Sequence, residues 1–256
     1  AQNRVTTITY DALNRKKTET SEYYDSSNQY ITVLVDYGYD ETGIDSYNVG
    51  QLTSVTRTET GKPQSIIAYH YDEMGRNTIV IRTIDGVSYT TNVGYDLAGR
   101  MNYIKYPDTN QTEYQYLYDS LGNLEQVNEV DGVNLIDILA DFEGYNALGQ
   151  IGYAGYANGT GVDYVYYDDN YRLQELTTTN SSGIIQQLDY TFDNVGNVDT
   201  LISYTKPLAT GPTYTVNYDF NYDNLDRLTS ATAASSDSSR AYNQAYQYDE
   251  VGNMTR

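Results

Sequence analysis

The sequence has no cysteine and no tryptophan, and only one histidine, three phenylalanines and four prolines among its 256 residues. Without cysteine there is no disulfide framework, no thiolate nucleophile and no cysteine-ligated zinc. With one histidine, neither a histidine-based metal cluster nor a catalytic triad is expected. Positive charge is also scarce, with 15 Lys and Arg against 35 Asp and Glu, a formal net charge of −20. Nucleic acids and acidic membrane surfaces require a basic footprint, so neither is expected as a partner. No apolar run approaches the roughly 20 residues that span a bilayer as a helix, and no membrane insertion is expected. What is abundant is tyrosine, at 31 residues. Almost all the aromatic surface therefore carries a hydroxyl, which suits faces that are half packed and half wet.

A Tyr-Asp pair recurs along the chain, followed at short spacing by Gly and then Arg, Asn or Gln. The clearest copies are Tyr71-Asp72-Glu73-Met74-Gly75-Arg76, Tyr95-Asp96-Leu97-Ala98-Gly99-Arg100, Tyr118-Asp119-Ser120-Leu121-Gly122-Asn123 and Tyr248-Asp249-Glu250-Val251-Gly252-Asn253. Variants begin at Tyr10, Tyr145, Tyr167, Phe192 and Tyr222, and a stretched copy runs from Tyr39-Asp40 to Gly50-Gln51. The ten starting positions, from 10 to 248, recur with a mean spacing of about 26 residues, a period typical of repeat architectures. Residues 1–256 thus read as a single array of about ten repeats, expected to be a piece of a larger protein.

Each period divides again. A second cluster of turn formers follows each Gly-Arg or Gly-Asn, as at Asp85-Gly86, Asp131-Gly132 and Asn158-Gly159. Asp-Gly and Asn-Gly favour tight hairpins because both residues accept positive φ. The segments between turns alternate as strands do. Tyr214, Val216, Tyr218, Phe220 and Tyr222 fall on one face, and Thr215, Asn217, Asp219 and Asn221 on the other. Ala231 to Ser239 has little β-propensity and reads as a loop. In the Tyr-Asp turn, Asp is expected to accept an N–H from two residues on, and the Gly to take a left-handed conformation. Asn14 and Asp226 tolerate that conformation in the Gly slot, whereas Tyr171 is a misfit that marks an altered turn. Met74, Leu121, Val195 and Val251 are expected to cover the end of a neighbouring hairpin.

These units, followed by strands such as Gln51-Leu52-Thr53-Ser54-Val55 or Arg227-Leu228-Thr229-Ser230, resemble the YD repeats of the Rhs family over essentially the whole chain. That family includes bacterial polymorphic toxins, the B and C subunits of Tc toxin complexes, wall-associated toxins of Gram-positive bacteria and the animal teneurins. The resemblance implies a long sheet of β-hairpins that spirals into a hollow shell, often enclosing a C-terminal toxin polypeptide. It implies a secreted or cell-surface bacterial protein. It also implies as partners the remainder of the parent protein and an enclosed toxin. The self-cleavage motif of family members that release cargo has an Asp-Pro dipeptide, and none occurs here.

The recurring carboxylates invite comparison with the paired acids of a glycosidase. A catalytic pair is unique in its sequence, whereas these occupy one turn slot per repeat, so no catalytic residue, cofactor or metal site is assigned and the chain is not expected to be an enzyme. Calcium is the next candidate, at Asp168-Asp169-Asn170 and Asp193-Asn194, but the spacing fits no EF-hand loop. The residues singled out are structural turn residues: Tyr71, Asp72, Gly75, Arg76, Tyr95, Asp96, Gly99, Arg100, Tyr118, Asp119, Gly122, Asn123, Tyr248, Asp249, Gly252 and Asn253. The Tyr-rich faces leave two functions open, a scaffold held by cross-strand aromatic ladders and a cell-surface adhesin or carbohydrate-binding module. The expected fold is all-β, with antiparallel hairpins in one continuous curling sheet of roughly twenty strands.

Overall fold

The computed structural model describes residues 4–41, 47–132, 134–206 and 212–255. Among these residues it contains nineteen strands of one sheet and a single three-residue 3-10 turn. Two compact units divide the chain, one formed by residues 1–116 and 128–136, the other by 117–127 and 137–256. The first holds β1 (Val5–Tyr10), β2 (Lys16–Tyr24), β3 (Tyr30–Tyr39), β4 (Leu52–Glu59), β5 (Ser65–Tyr71), β6 (Asn77–Ile84), β7 (Val87–Tyr95) and β8 (Met101–Lys105). Strands β9 (Glu113–Tyr118), β10 (Leu124–Asp131) and β11 (Asn134–Glu143) contribute residues to both. The second holds β12 (Tyr153–Tyr156), β13 (Gly161–Tyr166), β14 (Leu173–Asn180), β15 (Gly183–Phe192), β16 (Val198–Thr205), β17 (Tyr214–Tyr222), β18 (Leu228–Ser235) and β19 (Tyr242–Ala245).

Within each unit, strands consecutive in sequence pair antiparallel, so the chain runs up and down as a meander. Tyr-Asp turns close each odd-to-even connection and the second turns close the others. A bulge recurs at the foot of the Tyr-Asp hairpins, with register shifts at Thr9/Tyr10, His70/Tyr71, Gly94/Tyr95, Thr191/Phe192 and Asn221/Tyr222. Such bulges increase local twist.

Among the described residues few apolar side chains are buried, and none is larger than isoleucine: Ile31, Val33, Val130, Ala140, Ala154, Val216, Ala231 and Ala233. Most strand residues are half-buried among their cross-strand neighbours. The alternation expected along β17 is present, with Val216 buried and Thr215, Asn217, Asp219 and Asn221 exposed. One expectation fails. Ala231 to Ser235 is the second half of β18 rather than a loop, and only Ser238–Arg240 forms a 3-10 turn. The reason is packing rather than propensity. Ala233 pairs with Tyr218 on one side and Tyr242 on the other, and those two rings lie 6.2 Å apart. Ala231 likewise lies opposite Phe220. A larger residue at either position would push these rings apart.

Candidate functional site

The feature that repeats with most chemical detail is the Tyr-Asp turn. In the copy at Tyr71, the backbone N–H of Asp72 donates to the carbonyl of Arg76 (2.9 Å) and that of Gly75 to the carbonyl of Asp72 (2.9 Å). The Asp72 carboxylate fills the interior, Oδ1 accepting from the N–H groups of Met74 (3.0 Å) and Arg76 (2.9 Å), and Oδ2 from Arg76 Nε (2.8 Å). Asp96 is held by Arg100 in the same way, through its N–H (2.9 Å) and Nε (2.7 Å). In the neutral version Asp119 Oδ2 accepts from Asn123 Nδ2 (2.9 Å), and Asp249 Oδ2 from Asn253 Nδ2 (2.9 Å). Gly75, Gly99, Gly122 and Gly252 all have positive φ, from 75° to 94°. The stretched copy, which from its extra residues is expected to protrude as a loop, lies partly outside the described residues. Its two ends still close, with Asp40 N–H donating to the Gln51 carbonyl (3.2 Å).

These bonds fix the carboxyl groups in the ionised state. The side-chain amide of Asn123 holds the Asp119 carboxyl below its ordinary value, and Asn253 does so for Asp249. For Asp223 the guanidinium of Arg227 has the same effect. The carboxylates of Asp72, Asp96, Asp119, Asp223 and Asp249 are thus occupied by bonds within their own turns.

Successive turns also touch one another. In the first unit, Tyr71 Oη donates to the Leu52 carbonyl (2.7 Å) and Tyr95 Oη to the Asn77 carbonyl (3.0 Å). The acceptor each time is the first strand residue after the preceding turn. Arg15 lies 4.3 Å from the Tyr39 ring centroid and Arg76 4.4 Å from that of Tyr95, so each turn's cation covers the next turn's tyrosine. The second unit repeats this, with Tyr145 bonding the Leu124 carbonyl, Tyr222 that of Val198, and Tyr248 that of Leu228. Arg227 stacks over Tyr248 at 4.6 Å. The residue after each glycine therefore leans over the following turn, and a Cβ on Gly75 would lie 2.9 Å from Gln51 Nε2 and one on Gly196 2.6 Å from Arg172 Nη2. Tyr118 ends β9, the strand that leads into its turn.

The copy at residue 167 departs from the pattern. The hydroxyl that reaches back, to the Ile151 carbonyl (3.0 Å), belongs to Tyr166. Tyr167 bonds forward to the Tyr190 carbonyl (2.8 Å). The loop closes between Tyr167 N–H and the Arg172 carbonyl, one residue longer than the others, and Tyr171 takes the left-handed position at φ 57°. The repeat tyrosine is therefore Tyr166, one residue before the position assigned from the Tyr-Asp spelling.

Two further expectations meet different outcomes. Met74, Leu121, Val195 and Val251 cover nothing, being 70%, 86%, 68% and 83% exposed. The two calcium candidates do come together, since Asp169, Asn170, Asp193 and Asn194 line one cleft of about 390 Å³. Arg172 shares that cleft, and among the described residues no three carboxylate or histidine groups gather as metal ligands. A turn missed in the sequence is Tyr24-Asp25-Ser26-Ser27-Asn28-Gln29, between β2 and β3. Its Asp25 Oδ1 accepts from Ser27 and Gln29 N–H, and Asn28 has φ 60°. It carries the same spelling at the opposite end of the strands, with Asn in place of Gly.

The repeated turn motif resembles that of the YD repeats, and the antiparallel hairpins have a counterpart among solved structures. No family profile and no curated protein matches the sequence. Among solved structures it is similar to TcdB2–TccC3 without its hypervariable C-terminal region, at a TM-score of 0.51 and 14% identity, covering 98% of this chain and 18% of that one. It is equally similar to the pore form of a Photorhabdus luminescens Tc holotoxin with mutated TccC3, at a TM-score of 0.51 and 14% identity, covering 96% of this chain and 18% of that one. The chain thus spans less than a fifth of these Tc structures.

Proposed function

We propose that the chain is a structural segment of a secreted YD-repeat protein, part of the wall of a hollow β-shell that encloses or presents a toxin or effector polypeptide, and that it is not an enzyme. The observation that carries this reading is the turn ladder. Each repeat uses its Asp and Gly to close its own turn and its Tyr, with the Arg where one is present, to hold the repeat before or after it, which is the pattern of a wall rather than of an active site. The fold shared with the Tc complexes supports a scaffold role. The partners in this reading are the remainder of the parent protein and its cargo.

The test is limited proteolysis of the full-length parent. A C-terminal polypeptide that survives protease until the shell is denatured supports the reading, and one digested at the rate of a free chain overturns it.

A second reading, a carbohydrate-binding module, is favoured by the exposed pair Tyr24 and Tyr30, whose rings meet edge to face at 5.2 Å. Glycan-array binding lost on Tyr30→Ala would favour this second reading.

A further inference from the structure

The third residue after the turn tyrosine is apolar in nearly every copy and yet points into solvent. In the second unit it is Leu121, Leu148, Val195, Leu225 and Val251, exposed to 86%, 64%, 68%, 72% and 83%. The lengthened turn alone is polar here, with Asp169 and Asn170. In the first unit Leu13 and Met74 repeat the pattern, at 72% and 70%. The turn itself does not call for an apolar side chain here. These residues contribute only a backbone N–H to the Asp or Asn side chain, as Leu121, Leu148 and Leu225 do at 2.8, 3.0 and 2.9 Å, and any residue but proline supplies that bond. Exposed turn positions ordinarily favour Asn, Ser, Asp or Gly. Single exposed apolar residues are common and need no explanation, but five in the same slot of six successive repeats form a patch.

The five lie in a row. Tyr-Asp turns close every odd-to-even connection, so in a meander they leave from the same end of the strands, one for every two strands, or about 10 Å. We propose that this edge is a self-association surface on which a second copy of the chain packs its own row, antiparallel to the first, each apolar residue entering the gap between two of the partner's. The period selects the occupant, because a surface without the same spacing falls out of step within a few repeats, whereas a second copy matches at every one. A two-fold axis makes the contact isologous and closes it at a dimer.

The area is sufficient. Five side chains at roughly 100 Å² each bring about 500 Å² of apolar surface per copy, and the polar flanks of the turns raise this toward the ~800 Å² per partner of a specific interface. Only the Asp223 carboxylate is offset by a cation, Arg227, whereas Asp119, Asp193 and Asp249 are bonded to the neutral amides of Asn123, Asn197 and Asn253 and keep their charge, so salt must screen the turns before the apolar row can pack. The remaining repulsion follows from the overall charge of −20 and makes association salt-dependent.

Sedimentation equilibrium of the 256-residue chain tests this at about 0.5 M NaCl. The expected result is a dimer at micromolar concentrations. The triple variant Leu121→Asp, Leu148→Asp, Leu225→Asp should associate at least about tenfold more weakly with an unchanged circular dichroism spectrum. Because the chain has no cysteine, Val195→Cys and Ser182→Cys report position separately. Val195 lies in the middle of the row and Ser182 in a turn at the other strand end, so oxidation should cross-link the first and not the second. A wild-type chain that remains monomeric, equal cross-linking of both cysteine variants, or a monomer that binds phosphatidylcholine vesicles through these residues would overturn the proposal.

Discussion

The guanidinium of Arg76 donates its Nε to Asp72 at 2.8 Å within its own turn and at the same time lies 4.4 Å from the ring centroid of Tyr95 in the next. One side chain thus closes a loop and joins it to its neighbour. The guanidinium suits both tasks because its in-plane N–H groups reach a carboxylate while its face stays free to stack on a ring. In a sheet whose buried apolar side chains are few and no larger than isoleucine, these contacts at the strand ends replace part of what a packed core supplies elsewhere. Stability should therefore be lost one repeat at a time when the turn residues are altered.

The tyrosine hydroxyls provide the simplest case. Tyr222→Phe removes the 2.9 Å bond to the Val198 carbonyl and leaves the ring in place. The expected loss is about 1 kcal/mol, against less than ~0.5 kcal/mol for Tyr242→Phe, which serves as the control. Urea denaturation of both variants measures the difference, and equal effects would remove the hydroxyl from the ladder.

Glycine in the turn answers two demands at once. Gly196 has φ 109°, and a Cβ there would lie 2.6 Å from Arg172 Nη2. Gly159 has φ 78° in a second turn, with nothing within 4 Å of its Cβ position. Gly159→Ala should cost only the backbone strain of about 1 kcal/mol. Gly196→Ala should cost more, because Arg172 must also move from the Phe192 ring and the Asp193 carbonyl. Thermal melting of the two variants compares them directly, and a smaller shift for Gly196→Ala would show that the arginine does not lean on the next turn.

Acid should open the turns at a predictable point. The carboxyls of Asp11, Asp119, Asp223 and Asp249 are held below the ordinary value of 3.8 by the N–H and side-chain donors around them. A carboxyl that ionises more readily in the folded chain adds its full stability above the unfolded value and loses it as pH falls through the lower folded one. Stability contributed by these groups is thus level at neutral pH and declines only below about pH 4. Carboxyl titrations followed by NMR should give these aspartates midpoints below 3.8, and midpoints at or above that value would contradict the bonding described here.

Much of this was legible in the sequence because the turn is local. An Asp that bonds N–H groups two and four residues on, and a Gly at positive φ, depend on neighbours in the chain, so their spacing reveals them. The links between turns are not local. Arg76 meets Tyr95 and Tyr71 meets the Leu52 carbonyl only after two strands have paired in register. The same limit explains Ala231 to Ser235, where low β-propensity was outweighed by the large rings of Tyr218 and Phe220 across the ladder. At Tyr166 the spelling itself misled, since two adjacent tyrosines precede Asp168 and the hydroxyl that binds Ile151 comes from the first. The missed turn at Asp25 had a readable signal, Tyr-Asp followed by Asn-Gln, at a place where the period called for the other kind of turn.

A double-mutant cycle on Arg76 and Tyr95 tests the coupling between repeats most directly. Arg76→Ala, Tyr95→Leu and the pair together would be compared by urea denaturation, with circular dichroism to establish that each remains a β-sheet. The cation over the ring predicts a coupling of about 0.5–1 kcal/mol, so that the double variant is less destabilised than the two singles combined. Losses that add to within ~0.3 kcal/mol would mean that the two turns stand independently, and the ladder would then be a set of separate hairpins.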